Sequence, residues 1–189
     1  YINAEVNTRI GIMLGITKEQ VEEAILAHPR AVAVLVNNPT YYGVCSDIKG
    51  ICELAHSYGL KVLADEAHGT HLYFGNNLPI SGIAAGADMA AVSMHKSGGS
   101  LTQSSILLTN NGMNADYVRT IINLTQTTSA SYLLMASLDI SRRNLALRGR
   151  QSFQKVMEWA EYAREEINSI GGYLSLIHIS EPTRQAEIS

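Results

Sequence analysis

Short apolar runs alternate with amphipathic segments through the first half of the chain, and this alternation limits the possible folds. Four runs have the length of buried strands, at 31–36, 61–65, 88–93 and 104–108. Three segments show helical spacing or helix-end signals, at 17–28, 46–59 and 79–85. Strand–helix–strand units with short connections predict an α/β fold with a mostly parallel, doubly wound sheet covered on both faces. The run 31–36 is expected to be buried on both faces.

Local signals predict where these helices begin and end. Thr17 followed three residues later by Gln20 has the spacing of a capping box. Ser46 is expected to cap the second helix, and Gly59 to end it.

The second half of the chain has a different pattern, in which helices dominate. We expect a long helix over 131–147, a break near Gly149 and a further helix to about residue 167. Residues 1–172 are interpreted as one incomplete domain. Residues 173–189 lose the helical period and resemble translated sequencing-adapter sequence, so we exclude them from the fold as an artefactual or disordered tail.

Composition excludes several classes of protein. With 46% apolar and 16% charged residues in 189, the chain is globular and long enough for one substantial core. A formal charge of -3 argues against a nucleic-acid or anionic-membrane partner, and no apolar stretch approaches the roughly 20 residues that span a bilayer. The two cysteines, Cys45 and Cys52, suit a reduced, cytoplasmic location.

Polar residues gather where the predicted parallel strands end, which is where such sheets bind ligands. That edge is expected to carry Asn38, Asp65, His68, Ser93, His95 and Lys96. Lys96 leaves a buried strand for a glycine-rich bend, and Asp65 ends a neighbouring strand. A pyridoxal phosphate enzyme needs this pair, an amine for a Schiff base and a carboxylate that keeps the ring nitrogen protonated.

Other interpretations use the same residues. Residues 65–68 spell the Asp-Glu-Ala-His box of a helicase or ATPase, but the chain has no G-x-x-x-x-G-K-[ST] loop. Asp65, His68 and His71 are a low-specificity metal-ligand pattern, and we predict no metal site. Asp65 could instead be a helix cap or ion-pair partner, and His68 a structural histidine. Glu66 is expected to pair with protein groups rather than act in catalysis.

Three segments resemble the Orn/Lys/Arg decarboxylase family. They are Val36–Val44, Ala64–Gly69 and Ser93–Gln103, in the family's order, and the resemblance runs over about residues 1–172. The most similar members are bacterial arginine and lysine decarboxylases. The resemblance implies a fold-type I pyridoxal phosphate enzyme, built like the large domain of aspartate aminotransferase, and makes this chain a fragment of that domain.

The resemblance also implies roles for individual residues. Lys96 would form the Schiff base with pyridoxal 5'-phosphate, Asp65 would pair with the pyridine nitrogen and His68 would lie beside it. Ser93 and His95 would contact the phosphate and the pocket shared by cofactor and substrate. Catalysis is assigned to Lys96, Asp65 and His95.

The implied reaction is decarboxylation of arginine, lysine or ornithine to agmatine, cadaverine or putrescine. Lys96 or His95 would reprotonate the α-carbon. The full-length protein is expected to be a homodimer or higher homo-oligomer, with Thr127–Ser129 near the partner's site. The family's upstream phosphate loop and stacking histidine and its C-terminal domain are not in this sequence. Several alternatives therefore remain: an inactive fragment, an aminotransferase, a lyase, or an inert structural or partner-binding remnant of the fold.

Overall fold

The computed structural model describes residues 1–8, 10–75 and 77–171, and the predicted tail at 173–189 lies outside them. The strands in this part are β1 Val6–Asn7, β2 Ile12–Met13, β3 Ala33–Asn37, β4 Lys61–Asp65, β5 Met89–Ser93 and β6 Ser105–Thr109. The α-helices are α1 Lys18–Ala27, α2 Ile48–Ser57, α3 Gly82–Ala85, α4 Met94–Ser97, α5 Ala115–Thr125 and α6 Tyr132–Ile170. A 3₁₀-helix covers Thr70–Tyr73.

The described strands form a mostly parallel sheet in the order β3-β4-β5-β6. β3, β4 and β5 run parallel, with Val36 beside Ala64 and Asp65 beside Ala91. β6 runs antiparallel to β5 and places Ser105 beside Ser93. A separate antiparallel pair, β1 and β2, precedes α1. The α/β class and the mostly parallel sheet agree with the prediction.

The core lies between one face of the sheet and helices α1, α2 and α3. One cluster of buried residues joins Val34, Val36 and Val62 of the strands to Val21 of α1 and Ile51 of α2. Alternate residues of a strand point to opposite faces, so Leu35 lies on the other face, where it is 70% exposed. The expectation that the run 31–36 is buried on both faces is therefore wrong for the described residues. β3 is an edge strand here, and the side chain between its two buried valines is uncovered.

The predicted capping box of α1 and the predicted glycine end of α2 are confirmed. The Thr17 hydroxyl accepts the Gln20 backbone N–H at 3.2 Å, and the Gln20 side chain accepts the Thr17 N–H at 3.0 Å. Gly59 follows the end of α2 with a φ of +75°, a left-handed conformation that glycine adopts without steric cost.

The predicted cap of α2 is wrong by one residue. Asp47 caps this helix, and its Oδ1 accepts the Gly50 N–H at 3.0 Å. The Ser46 hydroxyl instead accepts the Ile16 N–H at 3.1 Å, a contact between segments 30 residues apart. Ser46 thus serves tertiary packing rather than the helix end.

The break expected near Gly149 is also wrong, because α6 is one continuous helix of 39 residues. A single glycine costs a helix only about 1 kcal/mol relative to alanine. Gly149 is buried against Phe74, and a Cβ atom at this position would lie 2.6 Å from Phe74 Cδ1. The glycine therefore permits close contact between α6 and the segment that follows the 3₁₀-helix.

Candidate active site

The site begins at the carboxyl edge of β4 and β5. Because the two strands are parallel, Asp65 and Ser93 leave the sheet on the same side. α4 starts directly after Ser93 and places His95 and Lys96 on this edge, where both are exposed. The structure therefore brings the ends of both strands into one region, as the sequence predicted.

Lys96 and His68 are in direct contact across this edge. Lys96 Nζ lies 3.1 Å from His68 Nε2. A lysine ammonium can only donate hydrogen bonds, so His68 Nε2 accepts from it and is unprotonated. Burial lowers the pKa of His68, the Lys96 charge lowers it further, and the Asp65 charge acts in the opposite direction. A neutral His68 is thus the acceptor that holds the Lys96 amine.

Asp65 carries a half-buried carboxylate with little to satisfy it. Its Oδ1 accepts the Ala67 N–H at 3.0 Å. Within residues 1–8, 10–75 and 77–171, no cation lies within ion-pairing distance of Asp65. A half-buried carboxylate is stabilised by further donors or a cation, so Asp65 has capacity for another N–H donor.

His95 is fixed in one tautomer by the backbone. Its Nδ1 lies 2.9 Å from the carbonyl oxygen of Ser104, which can only accept a hydrogen bond. Nδ1 therefore carries a proton. The nearby Ser93 hydroxyl makes no capping bond to α4.

Asn38, which the sequence placed on this edge without assigning it a role, is buried next to the end of β4. It is fully buried, its backbone N–H donates to the Asp65 carbonyl at 2.9 Å, and its Oδ1 accepts the Ser46 N–H at 2.8 Å. Its Nδ2 has no hydrogen-bond partner among the described residues. A buried amide donor is normally satisfied, so this Nδ2 is an exception within the described part of the chain.

Glu66 is completely buried and holds the surrounding segments together. It accepts the Gly82 N–H at 2.8 Å and the Tyr73 hydroxyl. Burial raises its pKa, against the hydrogen bonds from Tyr73 and Gly82, which lower it. Glu66 therefore contacts protein groups, as predicted, and fixes the chain immediately after Asp65.

Two other predictions concern places away from this cluster. Thr127–Ser129 is exposed between α5 and α6, where the Ser129 N–H donates to Thr127 Oγ1 at 3.1 Å, and its proximity to a partner's site stays a prediction. In the described part of the chain, no group of three or more His, Cys, Asp or Glu residues is arranged to hold a metal ion. Nor is any helix there long and apolar enough to cross a membrane.

Comparison with known proteins assigns the family. Residues 1–187 match the family described as Orn/Lys/Arg decarboxylase, major domain. The chain belongs to this family. The match reaches into 173–189, whose separation from the domain stays a prediction.

Relatives of this Orn/Lys/Arg decarboxylase chain are longer than it is. An arginine decarboxylase of Bacillus subtilis (strain 168) is 49% identical over 173 residues, which are 91% of this chain and 35% of that protein. The chain thus spans about a third of the length of this curated relative.

Solved structures confirm the fold class. The constitutive lysine decarboxylase of E. coli superposes with a TM-score of 0.72 at 22% identity, over 92% of this chain and 27% of that one. An alanine–glyoxylate aminotransferase from Nostoc sp. gives 0.61 at 20% identity, over 85% of this chain and 46% of that one. The predicted fold-type I architecture is therefore correct.

Proposed function

We propose that this chain is part of a pyridoxal-phosphate-dependent decarboxylase acting on a basic amino acid, and that it supplies the lysine that binds the cofactor. The observation that supports this most is the contact of Lys96 with a neutral His68 at the carboxyl edge of the sheet, beside Asp65. Membership of the Orn/Lys/Arg decarboxylase family supports the reaction class.

The unsatisfied groups of the site fit this cofactor. Asp65 has room for the N–H of a protonated pyridine ring. Lys96 Nζ is the amine for the aldehyde carbon. Ser93, through its hydroxyl, and His95 would contact the phosphate and the substrate pocket.

Each residue has a task in the proposed reaction. When bound, pyridoxal phosphate supplies an electron sink for the electron pair left by the departing carboxylate. Asp65 holds the proton on the ring nitrogen. His68 Nε2 accepts a hydrogen bond from Lys96 Nζ and would hold this amine in position. His95 Nε2, like Lys96, can carry a proton for the α-carbon, and both remain candidates for that step.

The substrate class follows from the family rather than from the site. The Bacillus subtilis relative is an arginine decarboxylase, and we propose arginine, lysine or ornithine as substrates. The homo-oligomeric state and the cytoplasmic location stay predictions.

Covalent attachment at Lys96 tests the proposal directly. The purified chain is incubated with pyridoxal phosphate, reduced with borohydride and mapped by peptide mass spectrometry. We expect the phosphopyridoxyl group on Lys96 and an absorbance band that is lost in Lys96→Ala but retained in Lys49→Ala, a control at an exposed lysine of α2.

A second measurement addresses the reaction. Release of labelled carbon dioxide from arginine, lysine and ornithine is compared between the chain and Lys96→Ala. Attachment spread evenly over the lysines, or none at all, would show that this chain does not form the cofactor site. Attachment at Lys96 with transamination but no decarboxylation would favour the aminotransferase alternative.

A further inference from the structure

The segment that follows Lys96 is tied to α6 by two serines. The Ser141 hydroxyl donates to the carbonyl oxygen of Gly98, and Ser141 is only 4% exposed. The Leu101 N–H donates to the Ser137 hydroxyl at 2.8 Å. Residues four apart lie on the same face of a helix, so both serines meet the segment 98–101 from one side of α6.

The same segment is linked internally to His95. The Ser104 hydroxyl donates to the Leu101 carbonyl at 2.7 Å and also bonds to the Ser100 hydroxyl. The Ser104 carbonyl in turn receives the Nδ1–H of His95 and, at 3.0 Å, the N–H of Met94. The contacts with α6 therefore restrain both ends of the turn that carries Lys96, at Met94 and at Gly98.

α4 needs such outside support. It has only four residues, and no side chain caps its N-terminus. A single helical turn is not stable by itself, so contacts outside the turn must fix the direction in which Lys96 leaves it.

α6 also contacts the segment that carries His68. Gly149 packs closely on Phe74, which follows the 3₁₀-helix, and Phe153 stacks on the same ring with centroids 6.0 Å apart. Ser141 and Gly149 are separated by about 12 Å along the helix axis, at 1.5 Å per residue. One helix therefore contacts both the segment after Lys96 and Phe74, six residues beyond His68.

We propose that Ser137 and Ser141 form a clamp, and that they are positioning residues that keep Lys96 Nζ within hydrogen-bonding distance of His68. The clamp's consequence for cofactor binding rests on the proposed function. Its effect on the Lys96–His68 contact does not.

The ionisation of His68 reports on the clamp without any cofactor. Among the described residues, Lys96, Asp65 and the ring of Tyr41 face this imidazole, and the Tyr41 ring packs edge-on with centroids 5.5 Å apart. Because the Lys96 charge lowers the pKa of His68, a Lys96 that moves away lets this pKa rise. The pKa is measured by NMR titration of the imidazole Cε1–H in the full chain.

The variants are Ser137→Ala, Ser141→Ala and the double variant, with Ser137→Thr to restore a hydroxyl and Ser152→Ala as an exposed control on α6. We expect the pKa of His68 to rise in the alanine variants, most in the double variant, and to stay unchanged in Ser137→Thr and Ser152→Ala. Pyridoxal phosphate should bind the single alanine variants about five-fold more weakly, the change that corresponds to one neutral hydrogen bond.

The outcomes separate the clamp from the proposed function. If the pKa of His68 rises in the alanine variants but neither the unaltered chain nor any variant binds cofactor, the clamp is supported and the proposed function of this chain is contradicted. An unchanged pKa in Ser137→Ala and the double variant, with native circular dichroism, overturns the clamp whether or not cofactor binds. If Ser141→Ala does not fold, Ser137→Ala and its threonine counterpart decide the question, because Ser137 is only half-buried.

Discussion

At the scale of single residues, the site depends on a lysine beside a histidine that resists protonation. Two cations at 3.1 Å would repel each other, so the short Lys96–His68 contact is favourable only while His68 is neutral. Burial of His68 gives this state, and the Lys96 charge reinforces it. The neutral His68 is thus an acceptor for the Lys96 amine.

Replacing the lysine tests this coupling. In Lys96→Met the charge that lowers the pKa of His68 is lost, whereas burial and the Asp65 charge remain. We expect the pKa of His68 to rise towards its ordinary value of 6.5, as measured by NMR titration. Lys49→Met, at an exposed lysine paired with Glu53, should leave His68 unchanged. An unaltered His68 titration in Lys96→Met would show that the two side chains are not coupled in solution.

Individual site residues could be predicted from the sequence only in part. The positions of Asp65, Ser93 and Lys96 at strand ends follow from short apolar runs, which are local signals. The contact of Lys96 with His68 joins residues 28 apart, and no local pattern encodes it. In the folded structure, the Asn38 Oδ1 accepts the Ser46 N–H, and the Nδ2 of the same amide has no hydrogen-bond partner among the described residues. No local pattern in the sequence shows this.

At the scale of secondary-structure elements, Asp88 joins α2, β4 and β5 at the end of the sheet opposite the candidate site. It accepts hydrogen bonds from His56 at 2.8 Å, Lys61 at 2.7 Å and the Val62 N–H at 2.9 Å. Burial alone would raise the pKa of Asp88. The bonds from Lys61, His56 and Val62 outweigh burial and lower it from 3.8 to about 2.

The lowered pKa fixes the sign of the pH dependence. Asp88 is ionised in the folded chain at pH values where the unfolded chain binds a proton, so its contribution to stability is full above pH 3.8 and is lost as the pH falls towards about 2. We expect Asp88→Asn to reduce the free energy of unfolding at pH 7 by about 1–3 kcal/mol, because it leaves partners of a buried acceptor unsatisfied.

Urea denaturation at pH 7, and at intervals between pH 4 and pH 2, measures this effect. The difference between the chain and Asp88→Asn should shrink across the acid range. Asp116→Asn, whose carboxylate is 94% exposed in a surface pair with Arg119, should change stability by less than about 0.5 kcal/mol. Equal stability of Asp88→Asn and the unaltered chain at pH 7 would contradict the assigned role.

The elements show the same division between local and tertiary signals. The capping box of Thr17 and Gln20 lies within four residues, and it was correctly predicted for that reason. Gly149 is locally a helix-breaking signal, yet α6 continues through it, and Phe74 occupies the space that a side chain would need. Ser46 is locally a helix-cap signal, but its hydroxyl accepts a hydrogen bond from the distant Ile16 N–H instead.

At the scale of the whole molecule, much apolar surface has no partner among the described residues. Leu35 and Leu107 are exposed on the sheet face away from the core. α6 exposes further large apolar side chains along its length, including Leu133, Leu147 and Trp159. Exposed apolar surface of this extent promotes association in water.

We therefore expect the isolated chain to associate as its concentration rises, driven by burial of this surface. Trp159 is the only tryptophan and is 69% exposed, so its fluorescence reports specifically on α6. Its emission should shift to shorter wavelength as sedimentation equilibrium shows larger species. Sulfate should strengthen this association, because excluded salts favour apolar burial, whereas contacts between surface charges would weaken with salt. Leu133→Gln with Leu147→Gln should weaken it, and a monomer with constant Trp159 emission at all concentrations would contradict the expectation.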